Sequence, residues 1–427
     1  MDPVTRNASM IREENEKTLN VIRDMIQENG FSWVAGKTSL QDSSCSEVQA
    51  YRQGEIPPTK EERMEGQVAR RDFLDSLERK RKENAGYYFP SPLEVFTTDA
   101  NNQGECSSCS AFAVTAALET CVAKVIPNPS FSIVPPRGLS SQNMLDCAYG
   151  FNNRSLFGCD GGQSFRYLEW LLEEGTLDTN RQYPYLDSAL RLEGNNNSYR
   201  MCYQSGVRPA AVMDVYHSSW NGHTERDLEN ILLDGNAIIT TMEVQGELMY
   251  YKSGVYQSAR CQDWKLGDQR DFQWDEENGF RPLRHAVVIV GFGEEKGQKY
   301  WKVKNSWGEN WGSSGFFKII RNGSAHCGLG AYFSVAICKA CRTEEDCQTR
   351  SPGLSQSQRA PPNLPEEGIA AGFTSFLSSP FGGVGVATCL RCSASTACPP
   401  NTCSAKSGQC CPFIRSRSYR IYCPSQC

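Results

Sequence analysis

At 427 residues the chain is long enough for two to three domains and a stable core. A hydrophobic content of 39% excludes wholesale disorder, and a formal net charge of −5 argues against a nucleic-acid partner. No apolar run approaches the length of a membrane span.

Residues 1 to 87 are polar and rich in charge. Ile11 to Asn29 reads as an amphipathic helix, with Leu19, Ile22 and Ile26 on one face and Gly30 as the stop. A second charged helix is expected from Lys60 to Lys82. Neither carries enough apolar area for a core of its own, so the segment is either a solvated tail or a piece that folds by docking. Between the helices lies Gly36-Lys37-Thr38-Ser39-Leu40-Gln41-Asp42.

At Tyr88-Phe89-Pro90-Ser91-Pro92 the composition turns aromatic and proline-rich, which marks a boundary. Gln103-Gly104-Glu105-Cys106-Ser107-Ser108-Cys109-Ser110-Ala111-Phe112 follows. Behind it an alanine-rich apolar stretch runs to Val125 without Gly or Pro, so a helix is expected with Cys109 in its first turn. A thiol there feels the positive end of the helix dipole, which favours the nucleophilic thiolate. Cys-x-x-Cys also serves redox centres, zinc half-sites and plain disulfides, and these four residues alone do not choose among them.

Further on, Ser140 caps a short helix, and Gly158-Cys159-Asp160-Gly161-Gly162 forms a turn open to a neighbouring backbone. Helices are expected over Ser164 to Glu174 and Thr224 to Leu233. Strands follow at Ala237 to Val244, His285 to Val290, Tyr300 to Lys304 and Phe316 to Ile320. Helices first and strands afterwards indicate an α+β domain in two parts, with a cleft between them as the natural binding site.

Residues 338 to 427 form a third region. Cys338-x2-Cys341-x5-Cys347 recurs as Cys389-x2-Cys392-x5-Cys398 across a Ser/Pro/Gly-rich linker, residues 351 to 387. The chain has 20 cysteines, which points to an oxidising compartment and to disulfides here, with zinc as the competitor. Sequons at Asn7, Asn153, Asn196 and Asn322 agree with secretory passage. Met1 to Asn20 has no apolar leader core, so either a signal peptide has been left off, the favoured expectation, or secretion is atypical.

A thiolate nucleophile needs a base. Of the four histidines, His285 opens a rigid apolar strand and has a fixed direction, whereas His217 and His223 lie in a polar stretch expected at the surface. His326 adjoins Cys327 in an expected loop. Asn305, at the end of the next strand, can orient the imidazole, and Trp307 can shield that contact from water. The Cys109 backbone N–H and the Gln103 side-chain amide can receive an oxyanion. This chemistry needs neither metal nor cofactor.

Taken together, these residues resemble the papain-like cysteine peptidases, whose motif Gln-Gly-x-Cys-Gly-Ser-Cys-Trp-Ala-Phe is echoed at Gln103 to Phe112. Gly158 to Gly162, His285-Ala286-Val287 and Asn305-Ser306-Trp307-Gly308 follow in the family's order. The resemblance covers about residues 88 to 337. It implies an α+β fold of a helical half and a β-barrel-like half, acting on polypeptides. Cys109 becomes the nucleophile, His285 the acid/base, Asn305 its orienter and Gln103 an oxyanion donor. It implies disulfides Cys106–Cys159, Cys147–Cys202 and Cys261–Cys327, which leave Cys109 free. It further implies that Gly161 and Gly162 bind substrate backbone. Gln163, Ser164, Ala286 and Tyr332 would line the pocket for the residue before the scissile one.

Gly36-x-Thr38-x-Leu40-x-Asp42 resembles the Gly-x-Asn-x-Phe-x-Asp motif of cathepsin L-type inhibitory propeptides. Residues 1 to 87 would then block the cleft as an intramolecular inhibitor until removed near Ala85 to Phe89, with acid pH aiding release. No histidine lies between Gln163 and Cys202, so no cathepsin B-like occluding loop is expected and an endopeptidase is favoured. A secreted or lysosomal location accords with the cysteines.

Three features depart from the family. Ser107 replaces a glycine, Ser110 replaces the tryptophan after the nucleophile, and Arg284 stands beside His285, where a cation disfavours imidazolium. Residues 262 to 284 are expected to overhang the cleft. The competing expectation is a weak or silent homologue that works as a binding or matrix protein through a partner of its Cys-rich tail.

Overall fold

The computed structural model describes residues 3–40, 42–43, 54–56, 70–83, 97–125, 138–151, 156–174, 177–186, 210–217, 223–261, 263–265 and 284–340. Short pieces at 390–391, 402–404 and 409–412 complete the described residues. By contacts the chain divides into two units, residues 1–270 with 283–354, and residues 271–282 with 355–427.

In the first unit the amino-terminal segment contributes α1 (Pro3–Glu28), β1 (Val34–Ala35) and α2 (Arg70–Glu83). Helix α1 starts about two turns before Ile11. Pro3 stands at its first position, where a missing N–H costs nothing. The helical half then has α3 (Cys109–Val125), α4 (Ser141–Cys147) and α5 (Ser164–Glu174). Ser140 caps α4 by accepting from Asn143 N–H.

The strands are β2 (Ala210–His217), β3 (Ile238–Met242), β4 (Tyr251–Ser253), β5 (Val255–Tyr256), β6 (Asp263–Lys265) and β7 (His285–Glu295). They continue with β8 (Gln298–Lys304), β9 (Phe316–Ile320), β10 (Ser324–His326) and β11 (Phe333–Ala340). Helix α6 (Glu225–Leu233) precedes β3 and opens on a Thr224–Asp227 capping box. Seven strands form one sheet in the order β2-β11-β3-β7-β8-β9-β5, antiparallel except for β5 against β9.

Strand β7 joins the two halves. Its side chains alternate, with Val287 and Ile289 in the core of the β half and Ala286, Val288 and Val290 in the core under the helices. A strand buried on both faces reads as an unbroken apolar run, as Ala286 to Val290 does. The halves are also tied by a buried ion pair, Lys304 Nζ to Glu119 at 3.5 Å, with Thr98 Oγ1 at 2.7 Å from the same ammonium.

The amino-terminal segment docks as folded structure. Leu19, Ile22, Trp33, Leu40 and Leu77 belong to the β-half core, and β1 pairs with β4. In the Gly36–Asp42 motif, Gly36 N–H donates to Tyr250 O, Thr38 Oγ1 donates to Met249 O, and Asp42 pairs with Arg12. Among the described residues no helix is long and apolar enough to cross a membrane.

Several expectations are corrected. Strands β2 and β11 were not anticipated; β11 extends through Cys338 to Ala340 and pairs with β2 along its length. The helix expected from Lys60 is described only from Arg70. His223 is not at the surface: it is 4% exposed, its Nε2 lies 2.7 Å from Gly330 O, and its ring meets the Phe333 edge. His326 ends β10 rather than standing in a loop, and its Nε2 accepts the Ser258 N–H.

The second unit contains β12 (Leu390–Arg391), β13 (Thr402–Ser404) and β14 (Gln409–Pro412), arranged β12-β14-β13 with both pairs antiparallel. The linker and most of the Cys-rich region lie outside the described residues.

Candidate active site

The site forms where the start of α3 meets the start of β7. Disulfide Cys106–Cys159 ties the loop before α3 to the Gly158–Asp160 turn, and Ser107 N–H donates to Cys159 O at 3.1 Å. Cys261–Cys327 is also formed. Cys147 is disulfide-bonded, but Cys202, the partner expected for it, lies outside the described residues; Cys121 is in a disulfide as well. Cys109 is the free cysteine among the described residues.

The Cys109 sulfur lies between the backbone groups that flank His285. Ala286 N–H donates to it at 3.3 Å, and Arg284 O lies at 3.8 Å. His285 Nε2 is 2.7 Å from Asn305 Oδ1, which also accepts Ser306 N–H at 2.8 Å. The Trp307 indole stacks on the imidazole with centroids 5.0 Å apart. Gln103 is held from both ends of its amide: Nε2 donates to Cys106 O at 2.9 Å, and Oε1 accepts Ser306 Oγ at 2.6 Å. Four residues spread over two hundred positions thus meet at one seam.

The seam is occupied. Gly54-Glu55-Ile56 runs across it as a short extended strand. Ile56 N–H donates to Gly162 O, Gly162 N–H to Gly54 O, Gly54 and Glu55 N–H to Arg284 O, and Arg284 N–H to Glu55 O. Gly162 therefore binds the backbone on both sides. Gly161 contributes clearance instead: its carbonyl accepts Phe157 N–H, and a Cβ on it would stand 2.8 Å from Gly54 O. Beneath Gly54 the fit is closer still, because a Cβ there would lie 1.9 Å from Ser107 O.

This occupant sets the state of the thiol. Burial pushes Cys109 well above its ordinary range, and the Glu55 charge adds to that; N–H groups of Ala286, Glu55 and Ser110 pull the other way. The helix position anticipates a thiolate, whereas burial beneath residues 54–56 disfavours it. The Glu55 carboxyl is itself fully buried. Both its oxygens face Ser164 N–H, at 3.0 and 3.1 Å, and the Ser164 hydroxyl donates to Oε2 at 2.5 Å. Burial pushes Glu55 up to about 8, and the Ser164 hydrogen bonds lower it only in part.

The remaining expected cleft residues are buried around this point. The Gln163 carbonyl accepts from Arg166 and Tyr167 in the first turn of α5. Tyr332 meets the Phe165 ring edge-on, and its carbonyl accepts Thr240 Oγ1. The departures also find their setting. Ser110, Tyr167 and Leu156 pack beneath Gly162, and the Ser110 hydroxyl has no hydrogen-bond partner among the described residues. The Arg284 guanidinium pairs with Glu243 at 3.1 Å, so the cation beside His285 is balanced by a carboxylate. Burial lowers Arg284 to about 10.

Sequence reasoning missed Glu55, Glu243 and the Lys304–Glu119 pair. For Glu55 the only local signal is Gly54-Glu55-Ile56-Pro57-Pro58, a glycine entering an extended run.

A helix-borne cysteine and a strand-borne histidine held by an asparagine amide thus meet beneath a segment of the same chain. Residues 93–337 match the papain family cysteine protease domain, and the chain belongs to that family. It is 36% identical over 245 residues to bovine (Bos taurus) pro-cathepsin H, covering 57% of this chain and 61% of that protein. It is 31% identical over 244 residues to a Fasciola hepatica cathepsin L-like proteinase, covering 57% and 62%. The chain thus spans about three-fifths of the length of these curated relatives. In fold it is similar to a digestive procathepsin L2 proteinase from Tenebrio molitor larval midgut, with a TM-score of 0.58 and 24% identity over 79% of this chain and 94% of that one. It is similar also to the proform of the ragweed pollen allergen Amb a 11, with a TM-score of 0.52 and 20% identity, over 79% and 88%. The fold is that of a papain-family proform.

Proposed function

We propose that this chain is the zymogen of a cysteine endopeptidase. Residues 1–87 act as its intramolecular inhibitor, 88–337 as the peptidase domain and 338–427 as a disulfide-rich appendage with a partner of its own. The reading rests above all on Gly54-Glu55-Ile56, which takes backbone hydrogen bonds from Gly162 and Arg284 directly over Cys109. An extended peptide bound by main-chain contacts beside a nucleophile is what a peptide substrate also requires.

Once the segment leaves, a peptide can approach the sulfur, and the thiol can pass its proton to the imidazole. Sulfur attacks the scissile carbonyl carbon, and the oxyanion accepts from Cys109 N–H and the Gln103 amide. His285 protonates the leaving amine, and the thioester is hydrolysed by water that His285 deprotonates. Asn305 Oδ1 holds the Nε2–H, which aims Nδ1 at the sulfur. A secreted or lysosomal setting suits the disulfides.

The test is labelling with a thiol-directed epoxide inhibitor after removal of the amino-terminal segment, read by peptide mapping. An adduct at Cys109 with hydrolysis of peptide substrates is expected. A correctly disulfide-bonded sample with no adduct and no hydrolysis leaves the binding-protein reading in its place.

A further inference from the structure

The plug does more than cover the thiol, because its one acidic side chain is received by a specific recess. Glu55 is fully buried, and its carboxyl meets the first residue of α5, an 11-residue helix. Ser164 offers that carboxyl two donors, its N–H and its hydroxyl, and is itself 1% exposed. An N–H at a helix start suits an oxygen acceptor by direction and by dipole. The Tyr167 hydroxyl is also buried, feels the Glu55 charge, and has no hydrogen-bond partner among the described residues. A leucine or phenylalanine placed there would strand the Ser164 N–H and hydroxyl without acceptors, leaving two buried donors unsatisfied. No basic side chain bonds Glu55 among the described residues, so recognition is by hydrogen bonds and not by an ion pair.

We propose that the recess at the start of α5 is a carboxyl-accepting subsite, so that the mature peptidase selects substrates presenting glutamate, or its isostere glutamine, at that position. The inference rests on the peptidase reading above. The plug then works as an occupant that carries the preferred side chain. Glutamine fits the same donors, because its carbonyl accepts the Ser164 N–H and its amide donates to the Ser164 oxygen.

Two experiments on the full chain test this. After activation, peptides that differ only at the position seated against Ser164 are compared at pH 5. Glutamyl and glutaminyl peptides are expected to exceed leucyl and arginyl ones in kcat/KM by about tenfold or more. Ser164→Pro, at a helix position that tolerates proline, removes both donors and is expected to abolish that ratio. Equal or better turnover of the leucyl peptide, or an unchanged ratio in Ser164→Pro, overturns the proposal.

The second experiment needs no catalysis. In the unprocessed chain, the alkylation rate of Cys109 reports how firmly residues 54–56 are seated. Glu55→Gln is expected to retain protection and Glu55→Leu to lose it by about tenfold or more. If Glu55→Leu protects as well as the parent, the recess does not select a carboxyl, whether or not the enzyme is active. If instead the epoxide fails to label Cys109 and no peptide is cleaved while the Glu55 series behaves as expected, the recess stands and the peptidase reading falls.

Discussion

Replacing Gly54 by alanine tests the autoinhibitory geometry at its tightest point. The new Cβ would sit 1.9 Å from Ser107 O and 2.4 Å from its carbonyl carbon, well inside van der Waals contact. Ser107 cannot retreat: its N–H is bonded to Cys159 O, and the neighbouring Cys106 is held in the disulfide to Cys159. The strand must therefore lift, giving up the hydrogen bonds that Gly54, Glu55 and Ile56 make with Arg284 and Gly162. At about 1 kcal/mol net for each bond, the seated state loses several kcal/mol. Trp33 and Leu40 stay in the β-half core, so the rest of the segment keeps its dock. The assay is the second-order rate of Cys109 alkylation in the unprocessed chain, with intact mass confirming a single site. A rise of at least about a hundredfold is expected, the equivalent of about 2.7 kcal/mol. An unchanged rate, in a variant that melts like the parent, would refute the argument that residues 54–56 shield the thiol.

The same assay run against pH reports on Glu55. Its seated value, about 8, lies above the ordinary 4.5, so the seated state holds the proton more tightly. This contribution to docking is whole below about pH 4.5 and falls by about 1.4 kcal/mol per pH unit as pH rises towards 8. Glu16 with Lys37 and Glu78 with Asn230 and Arg226 shift downward and act oppositely, loosening in acid. Those carboxylates are only half-buried, and water screens them. Glu55 is therefore expected to dominate at the plug, with protection of Cys109 in excess of ordinary thiol ionisation greater at pH 5 than at pH 7.5. Glu55→Gln should flatten that difference. Lys304→Met leaves the Glu119 carboxylate buried and unpaired, and a loss of about 3–5 kcal/mol is expected in denaturant unfolding, with substantial recovery in the Lys304→Met/Glu119→Leu double variant. Asn305→Ala frees the His285 ring and should lower kcat of the activated enzyme by about tenfold or more, with a smaller change in KM.

Much of the site was legible because its residues stand at places with strong local signals. Cys109 opens an apolar helix, His285 opens an apolar strand, and Asn305 follows another, so each has a defined direction before any packing is known. The docking of the amino-terminal segment was legible as an alternative to a solvated tail, since Leu19, Ile22 and Ile26 make an apolar face too small to stand alone. Less legible were β2 and β11, which pair with each other across more than a hundred residues and carry no turn between them to announce the pairing. His223 looked polar by its neighbours and is buried by Gly330 and Phe333, far along the chain.

The sequence by itself determined where Cys109, His285 and Asn305 stand and in what order, because helix starts and strand edges are local properties of the chain. Only the tertiary structure decided the state of that chemistry. Glu55 lies 109 positions from Ser164 yet seats its carboxyl there, and burial pushes the Cys109 thiol up where the helix dipole alone favours a thiolate. The balancing of Arg284 by Glu243 is likewise a contact between residues 41 positions apart, brought together where β3 and β7 pair. Desolvation depends on everything that surrounds a group, and no local stretch of sequence encodes that.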